Sequence, residues 1–142
     1  MARNCRFAVA VHIATVLALH RDSPATSDWI AGSVNTNPVV VRRILSALSR
    51  AGLVISQRGV TGGSSLAKDP GTISLLALYR AVDEQDAQAL HHQPPNPNCP
   101  VGAHIVPVLT DILARVEAAK ERELAQLYVA DVLAAIRERV GG

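Results

Sequence analysis

Three arginines, Arg42, Arg43 and Arg58, are the residues whose type and position most clearly indicate a binding chemistry. Arg42 and Arg43 lie one turn into a predicted helix, where a guanidinium can form paired hydrogen bonds with guanine or bind a phosphate. Arg58 begins the segment RGVTGG, which predicts the tip of a glycine-rich hairpin and suits a narrow minor groove. Their positions favour contacts with double-stranded DNA.

The helix that carries Arg42 and Arg43 is predicted to be bounded at both ends. Asn37 is a favourable N-cap, and Pro38 fits the first helical position because an amide there would have no partner. Gly52 suits the C-terminal end, where positive φ is common. Three- and four-residue spacing predicts a buried face, formed by Val41, Ile44, Leu45 and Leu48. Val39 is left exposed, where a valine can contact a thymine methyl group.

A shorter helix is predicted to precede this one. Ser27, followed by an aspartate, begins it, and Trp29, Ile30 and Val34 are expected to face inward. The turn at residues 35–38 leads into the longer helix. This is a helix-turn-helix arrangement, in which the second helix lies in a major groove with its first turn at the bases.

A two-stranded wing is predicted after Gly52. The segments LVIS and SSLA favour strands. Gly59, Gly62 and Gly63 fit between them because a wing must turn tightly and let its backbone approach phosphate. After the wing, Ile73 to Val82 predicts a helix with Leu76, Tyr79 and Val82 on one side.

Composition and charge agree with a DNA-facing first half. Residues 1–70 hold eight Lys or Arg against three Asp, a formal charge of +5, and the remainder carries −3. The 142 residues are 49% hydrophobic, enough for one or two small cores, and the 3% aromatic content argues against a base-stacking surface for single-stranded RNA.

Residues 5–20 predict a central helix that is apolar nearly all round, which requires cover on both faces. His12 interrupts the run, no small-residue cleavage site follows, and the run is too short to cross a membrane, so an export signal is disfavoured. Two cysteines provide no disulfide framework, and a reducing cytoplasm is the expected location. Cys5 is expected to be a small buried residue.

The chain resembles the Rrf-two family of bacterial winged-helix regulators, which includes IscR, NsrR and CymR. The resemblance covers nearly the whole chain, and its most specific part is AGLVISQRGVTGGSSLA, residues 51–67, followed by ISLLALYRAVDE. It implies a homodimeric transcription regulator on a palindromic operator, with the helix from residue 38 in the major groove and the Arg58 wing in the minor groove. Arg42 occupies the position at which cluster-binding members often carry an acidic residue that contributes to operator discrimination. Their operator preference is therefore not expected of this chain.

The resemblance also implies a sensory region, in which three cysteines can hold an iron-sulfur cluster. Here Cys99 matches the last of the three, whereas the other two positions hold Gln93 and Ala87. A cluster needs more thiolates than this chain supplies, so no iron-sulfur cofactor is expected.

Cys99 is instead a candidate redox-sensing thiol. It precedes Pro100 where the last long helix could begin, and free amides at a helix N-terminus lower a thiol pKa. A zinc or copper site formed by His91, His92, Cys99 and His104 is an alternative, but their spacing is loose and we expect no metal.

A long helix is predicted from residue 103 onward, because Pro107 is tolerated only in a first turn. Its apolar stripe is formed by Val106, Leu109, Leu113, Val116, Leu124 and Leu127. This stripe is too long for one small domain to cover, so a second copy of the chain is the expected cover. Related chains often break the helix near residue 127 at a threonine cap. Tyr128 cannot cap in that way, which leaves the break open.

The predicted fold is mainly α, with a winged helix-turn-helix domain at residues 1–82, a sensory loop at 83–102 and a helical dimerisation region at 103–142. The candidate DNA contacts are Ser27, Asn37, Val39, Arg42, Arg43, Arg58, Gly59, Gly62 and Gly63. The expected function is a DNA-binding regulator, a repressor, with an unknown small-molecule or oxidant effector. The alternative is a helical interaction module that no longer binds DNA. No phosphate loop, nucleophile motif or carboxylate pair indicates an enzyme.

Overall fold

The structure, a computed structural model, describes residues 5–60, 62–83 and 90–141. The chain forms two compact units, one of Met1–Asp83 with Leu124–Gly142 and one of Glu84–Glu123. The elements are α1 (Arg6–Leu19), α2 (Ser27–Val34), α3 (Pro38–Arg50), β1 (Val54–Gln57), β2 (Gly63–Leu66), a 3-10 turn (Pro70–Thr72), α4 (Leu75–Val82), α5 (Pro100–Leu124) and α6 (Val129–Gly141). In the part of the chain that is described, no helix has the length and hydropathy needed to span a membrane.

Helix α1 is the centre of the first unit, as predicted. Ala10, Ile13, Ala14 and Leu17 are almost completely buried, and the helix contacts α2, α3, α4, α6 and β2. Within one chain the cover is incomplete on one side, where Leu19 remains 51% exposed. That side borders an apolar groove of about 420 Å³ between α1 and α6.

Helix α2 begins at Ser27, as predicted, but has a different inward face. The Thr26 hydroxyl caps it by accepting a hydrogen bond from the amide of Trp29. Ile30 and Ala31 are buried, whereas Trp29 is 50% exposed and packs edge-on against His20. The prediction that Trp29 faces the core is therefore wrong, because smaller side chains fill the inward face of this short helix.

The turn and α3 follow the prediction closely. Asn35 adopts positive φ at the end of α2, and the amide of Thr36 donates to the Ala31 carbonyl, which closes the helix. The Asn37 side chain accepts from the amide of Val39 at 2.9 Å, and Pro38 is the first helical residue. The predicted face is buried, and its residues are Val41, Ile44, Leu45 and Leu48.

Strands β1 and β2 form the predicted antiparallel wing, with Val54 opposite Leu66 and Gln57 opposite Gly63. The wing is tied to the loop before α2 because Ala25 and Ser64 exchange two backbone hydrogen bonds, of 3.0 and 2.8 Å. Gly63 lies at this contact with φ +153, and a Cβ on it would be 2.6 Å from the Ala25 carbonyl oxygen. Close approach to its own chain is therefore a reason for glycine at position 63 that the sequence analysis did not foresee.

Helix α4 begins later than predicted, after the Ser74 cap, and turns a different side inward. Leu75, Leu78 and Val82 are buried, so of the three residues predicted to share one side only Val82 is fully buried, and Leu76 and Tyr79 are half-buried. Tyr79 is partly buried and packs edge-on against Phe7, with ring centroids 5.7 Å apart.

Helix α5 begins at Pro100, so the predicted start at residue 103 is wrong and Pro107 lies inside the helix. The proline has no N–H to donate to the Ala103 carbonyl. Ala103 is exposed, so water can hydrogen-bond that carbonyl instead.

A break does separate α5 from α6, at residues 125–128. The missing threonine cap is replaced from inside α6, because the Asp131 carboxylate reaches back and accepts from the amide of Tyr128 at 2.8 Å. The amide of Val129 also donates to the Ile73 carbonyl, which ties α6 to the start of α4. Val129 and Leu133 then complete the core of the first unit.

We predict that Gly63→Ala lowers the free energy of unfolding by about 1–3 kcal/mol, because the new methyl group meets the Ala25 backbone and φ is strained. Gly32→Ala is the matched control, because Gly32 is an exposed helical residue with no atom near its added Cβ. The control should be neutral or more stable by up to about 1 kcal/mol. Urea unfolding of the two variants beside the wild type measures this, and equal stability of both variants would contradict the assigned role of Gly63.

Candidate nucleic-acid interface

The outward face of α3 is the first part of the candidate interface. Val39, Arg43, Ser46 and Arg50 recur at three- and four-residue spacing opposite the buried face, and all four are exposed. Asn37 lies at the start of this face with its side-chain oxygen bound to the Val39 amide. Its NH₂ group is the part of that side chain that can still donate to DNA. The structure therefore places the predicted Asn37, Val39 and Arg43 together on one exposed surface.

A cleft of about 360 Å³ lies beside this face, between α3 and the wing. We call it the α3–wing cleft. It is lined by Ser27, Arg42, Leu45, Ser46, Ser49, Arg50, Ser56 and Ser64. The structure thus brings two predicted contacts, Ser27 and Arg42, to one concave polar surface.

Five polar residues of this cleft were missed as candidates, namely Ser46, Ser49, Arg50, Ser56 and Ser64. A signal for three of them was present in the sequence, because positions 42, 46, 49 and 50 lie on the same side of one helix. Ser56 comes from the wing, and its approach to α3 depends on how the strand packs.

The two cleft arginines are held only loosely by the protein. Arg42 lies 3.9 Å from the Asp28 carboxylate of α2, and the two side chains are 58% and 80% exposed. Such an exposed ion pair contributes little to stability. Arg50 donates to the Ser46 hydroxyl at 3.1 Å. Both guanidinium groups can therefore exchange these partners for a phosphate.

The wing tip has the predicted tight turn. Gly59 has φ +108, and the amide of Gly62 donates to the Gly59 carbonyl at 3.0 Å. A Cβ on Gly62 would collide with the Gln57 carbonyl, so the turn requires glycine there. Arg58 is exposed at this tip. Thr61 lies outside the described residues.

Cys99 is placed immediately before α5 with an exposed thiol. The backbone amides of Gly102 and Val101 donate to its sulfur and lower the pKa of the Cys99 thiol. The direction of this shift agrees with the prediction. Cys5 is also exposed, so the expectation that it is buried is wrong.

His91, His92 and His104 are exposed near Cys99 in sequence. Among the described residues, no three His, Cys, Asp or Glu side chains are grouped closely enough to hold a metal ion. Ala87, one of the positions that replaces a cluster cysteine, lies outside the described residues.

Comparison with known proteins identifies the family. Residues 3–135 match the profile of the Rrf2 (Rrf-two) family, described as iron-dependent transcriptional regulators. The Bacillus subtilis protein YwnA, classed as an HTH-type transcriptional regulator, is 47% identical over 130 residues, which cover 92% of this chain and 96% of YwnA.

Solved structures agree with this result. A crystal structure of a DNA-binding protein is 43% identical, with a TM-score of 0.72 over 90% of this chain and 98% of the other. A transcriptional regulator from Lactobacillus plantarum is 28% identical, with a TM-score of 0.78 over 95% of this chain and 91% of the other. These relatives favour the DNA-binding interpretation over a helical interaction module. The chain belongs to the Rrf-two family and is a DNA-binding transcription regulator with a winged-helix fold, not an enzyme.

Proposed function

We propose that this regulator is a homodimeric repressor that binds a palindromic operator. The observation that carries the dimer is the exposure of α5, in which no side chain is buried. The exposed apolar residues of α5 differ from the predicted stripe, because Val106, Leu109 and Leu113 are half-buried. Those that are exposed share one side of the helix and are Val101, Val108, Ile112 and Val116. A second copy would cover this stripe, and the α1–α6 groove offers further apolar surface. A two-fold dimer matches a sequence with two-fold symmetry.

The exposed face of α3 supports the assignment of the DNA contacts. In the proposed complex, Asn37, Val39 and Arg43 enter a major groove and Arg58 reaches the adjacent minor groove. Gly59 and Gly62 let the wing backbone lie close to the DNA. Occupation of a promoter sequence by such a dimer excludes other proteins, so repression is the simplest outcome.

We further propose that Cys99 senses oxidants. The thiolate favoured by the α5 amides attacks a hydroperoxide, so that an S–O bond forms and the O–O bond breaks. The products are a sulfenic acid and water or an alcohol. One cellular thiol then condenses with the sulfenic acid to a mixed disulfide and water, and a second cellular thiol releases the Cys99 thiol as the two cellular thiols form a disulfide. Loss of the thiolate removes a charge from the beginning of α5, the proposed dimer helix.

The family description includes iron, but the residues of this chain do not fit an iron-sulfur cluster. Cys99 is the only thiol in residues 84–123, and Cys5 belongs to the other compact unit. The usual cluster is held by four protein ligands, most of them cysteines. We therefore propose that the protein functions without an iron-sulfur cofactor. We also propose a cytoplasmic location, because a DNA-binding regulator acts where the bacterial DNA is.

We predict that Ile112→Glu in α5 converts the dimer to a monomer and weakens operator binding at least tenfold. The charge would be placed in the apolar stripe, where its desolvation on association is costly. Ala114→Glu adds the same charge about 200° further round the helix and should leave both properties unchanged. Sedimentation velocity and binding to a duplex selected from random DNA test this. A dimer that survives Ile112→Glu would contradict the role of α5.

We predict that the Cys99 thiolate forms at lower pH in the folded protein than in the denatured protein, because α5 amides bind the charged form. Cys5→Ser protein, in which Cys99 is the remaining thiol, allows the rate of iodoacetamide alkylation to be followed against pH. The pH midpoint of the rate profile should be lower in buffer than in about 8 M urea, which unfolds the protein. Equal midpoints would remove the structural basis for a reactive thiol.

We predict that tert-butyl hydroperoxide changes operator affinity of the wild type and that dithiothreitol reverses the change. Cys99→Ser should bind with the same affinity in both conditions, whereas Cys5→Ser should respond like the wild type. An unchanged response in Cys99→Ser would show that another group is the sensor. No response in any variant would turn the search to a small-molecule effector.

A further inference from the structure

The tip of the wing carries an apolar residue that packs against no other part of the described chain. Val60 follows Gly59 in the turn between β1 and β2, and it is 106% exposed. It is therefore as accessible as a residue in an isolated extended peptide. Among the large hydrophobic residues of the described chain, Val140 comes next, at 83%, near the end of α6.

Valine is an unusual residue at this point of the chain. Exposed turns favour Gly, Pro, Asn, Asp and Ser, whereas β-branched residues favour strands. The shape of this turn is set by its glycines, because Gly59 has positive φ and a Cβ on Gly62 would collide with the Gln57 carbonyl. A polar residue at position 60 would suit the turn better. A residue that departs from the local rule with no gain in packing indicates a role in binding.

The turn that presents Val60 is braced by backbone hydrogen bonds. The amide of Gly62 donates to the Gly59 carbonyl at 3.0 Å, and Ser64 of β2 is paired with Ala25. Little backbone freedom therefore has to be lost when the tip binds. This lowers the entropy cost of a contact made by Val60.

The floor of the DNA minor groove determines what an apolar side chain can contact there. An A·T pair presents acceptors beside the C2–H of adenine, whereas a G·C pair adds the guanine 2-amino group, which projects into the groove. A valine against that amino group leaves its donor without a partner, and such a loss is costly. A hydroxyl or amide side chain would instead accept from the amino group. An apolar tip therefore favours A·T pairs.

We propose that Val60 determines specificity by selecting A·T pairs in the minor groove, because it excludes the guanine 2-amino group. This inference rests on the proposed function, in which the wing enters the minor groove beside the groove that holds α3. It gives two neighbouring residues different tasks. Arg58 supplies charge and responds to the width of the groove, whereas Val60 responds to the chemistry of its floor.

The two tasks differ in their dependence on salt. Removal of a cation that binds near phosphates lowers the number of counterions released, whereas removal of methyl groups leaves that number unchanged. The contribution of Val60 should therefore change base preference without changing the salt dependence of affinity.

The test uses the full-length protein and a duplex that the wild type selects from random DNA. Each A·T pair is replaced in turn by 2,6-diaminopurine·T, which adds a 2-amino group to the minor groove and leaves the major-groove edge unchanged. The wild type should lose affinity about five- to tenfold at one or two neighbouring pairs in each half of the operator. At the same pairs, G·C should be equally unfavourable, and inosine·C, which lacks the amino group, should restore affinity.

The variants assign this discrimination to a residue. Val60→Ala should bind the selected duplex and the diaminopurine duplex about equally, with an unchanged slope of log K against log salt. Val60→Thr keeps the shape, adds a hydroxyl that can accept from the amino group, and should also lose the discrimination. Arg58→Ala should lower the slope by about one and retain the discrimination. Val140→Ala is the matched control on α6 and should behave like the wild type.

Full discrimination in Val60→Ala, or its loss in Arg58→Ala alone, would overturn the proposal, because groove width would then explain the preference. A wild type that selects a duplex but tolerates diaminopurine at every pair would overturn it as well, while leaving operator binding intact. Failure of the wild type to select any duplex would instead refute the proposed operator binding itself. Because Val60 is exposed, the urea unfolding midpoint of its variants should equal that of the wild type.

Discussion

The packing of α3 against α1 is the constraint on which the rest of the structure depends. Val41 and Leu48 are buried in one cluster with Ile13 and Leu17, and each such side chain contributes about 1.5–3 kcal/mol. Because this face is fixed by burial, the opposite face of α3 must point into solvent. The exposure of Arg43 is therefore a consequence of hydrophobic packing, and electrostatics act only on what the packing has exposed.

Features governed by local rules were predictable from the sequence. Asn37, Pro38 and the apolar spacing determine α3, and the glycines mark the wing turn. The orientation of Trp29 was not predictable, because it depends on how side chains of other elements pack against α2. The role of Gly63 depends on Ala25, which is distant in sequence. For the break before α6 a signal did exist, since Asp131 lies three residues after Tyr128, but a search for a threonine cap overlooks it.

The candidate site was predictable in part for the same reason. Residues on one helix face, such as Val39 and Arg43, follow from periodicity, whereas a concave surface built by α3 together with the wing does not. Ser56 joins Arg42 only because β1 packs beside α3. Cys99 was recognisable because its position before Pro100 is a local feature of the chain. Cys99 and the candidate DNA-binding surface belong to different compact units.

The anchoring of α6 changes how the chain is divided. The backbone bond from Val129 to Ile73 and the burial of Leu133 return the C-terminus to the DNA-binding unit. Residues 84–123 are consequently an insertion within that unit, and not an appendage that follows it. An insertion is attached by two covalent ends, here at Asp83 and Leu124. Val82 belongs to the core of the first unit, and Leu124 packs against the same core. Residues 1–83 are therefore not a complete folding unit, because a chain that ends there lacks the part of the hydrophobic core that α6 supplies.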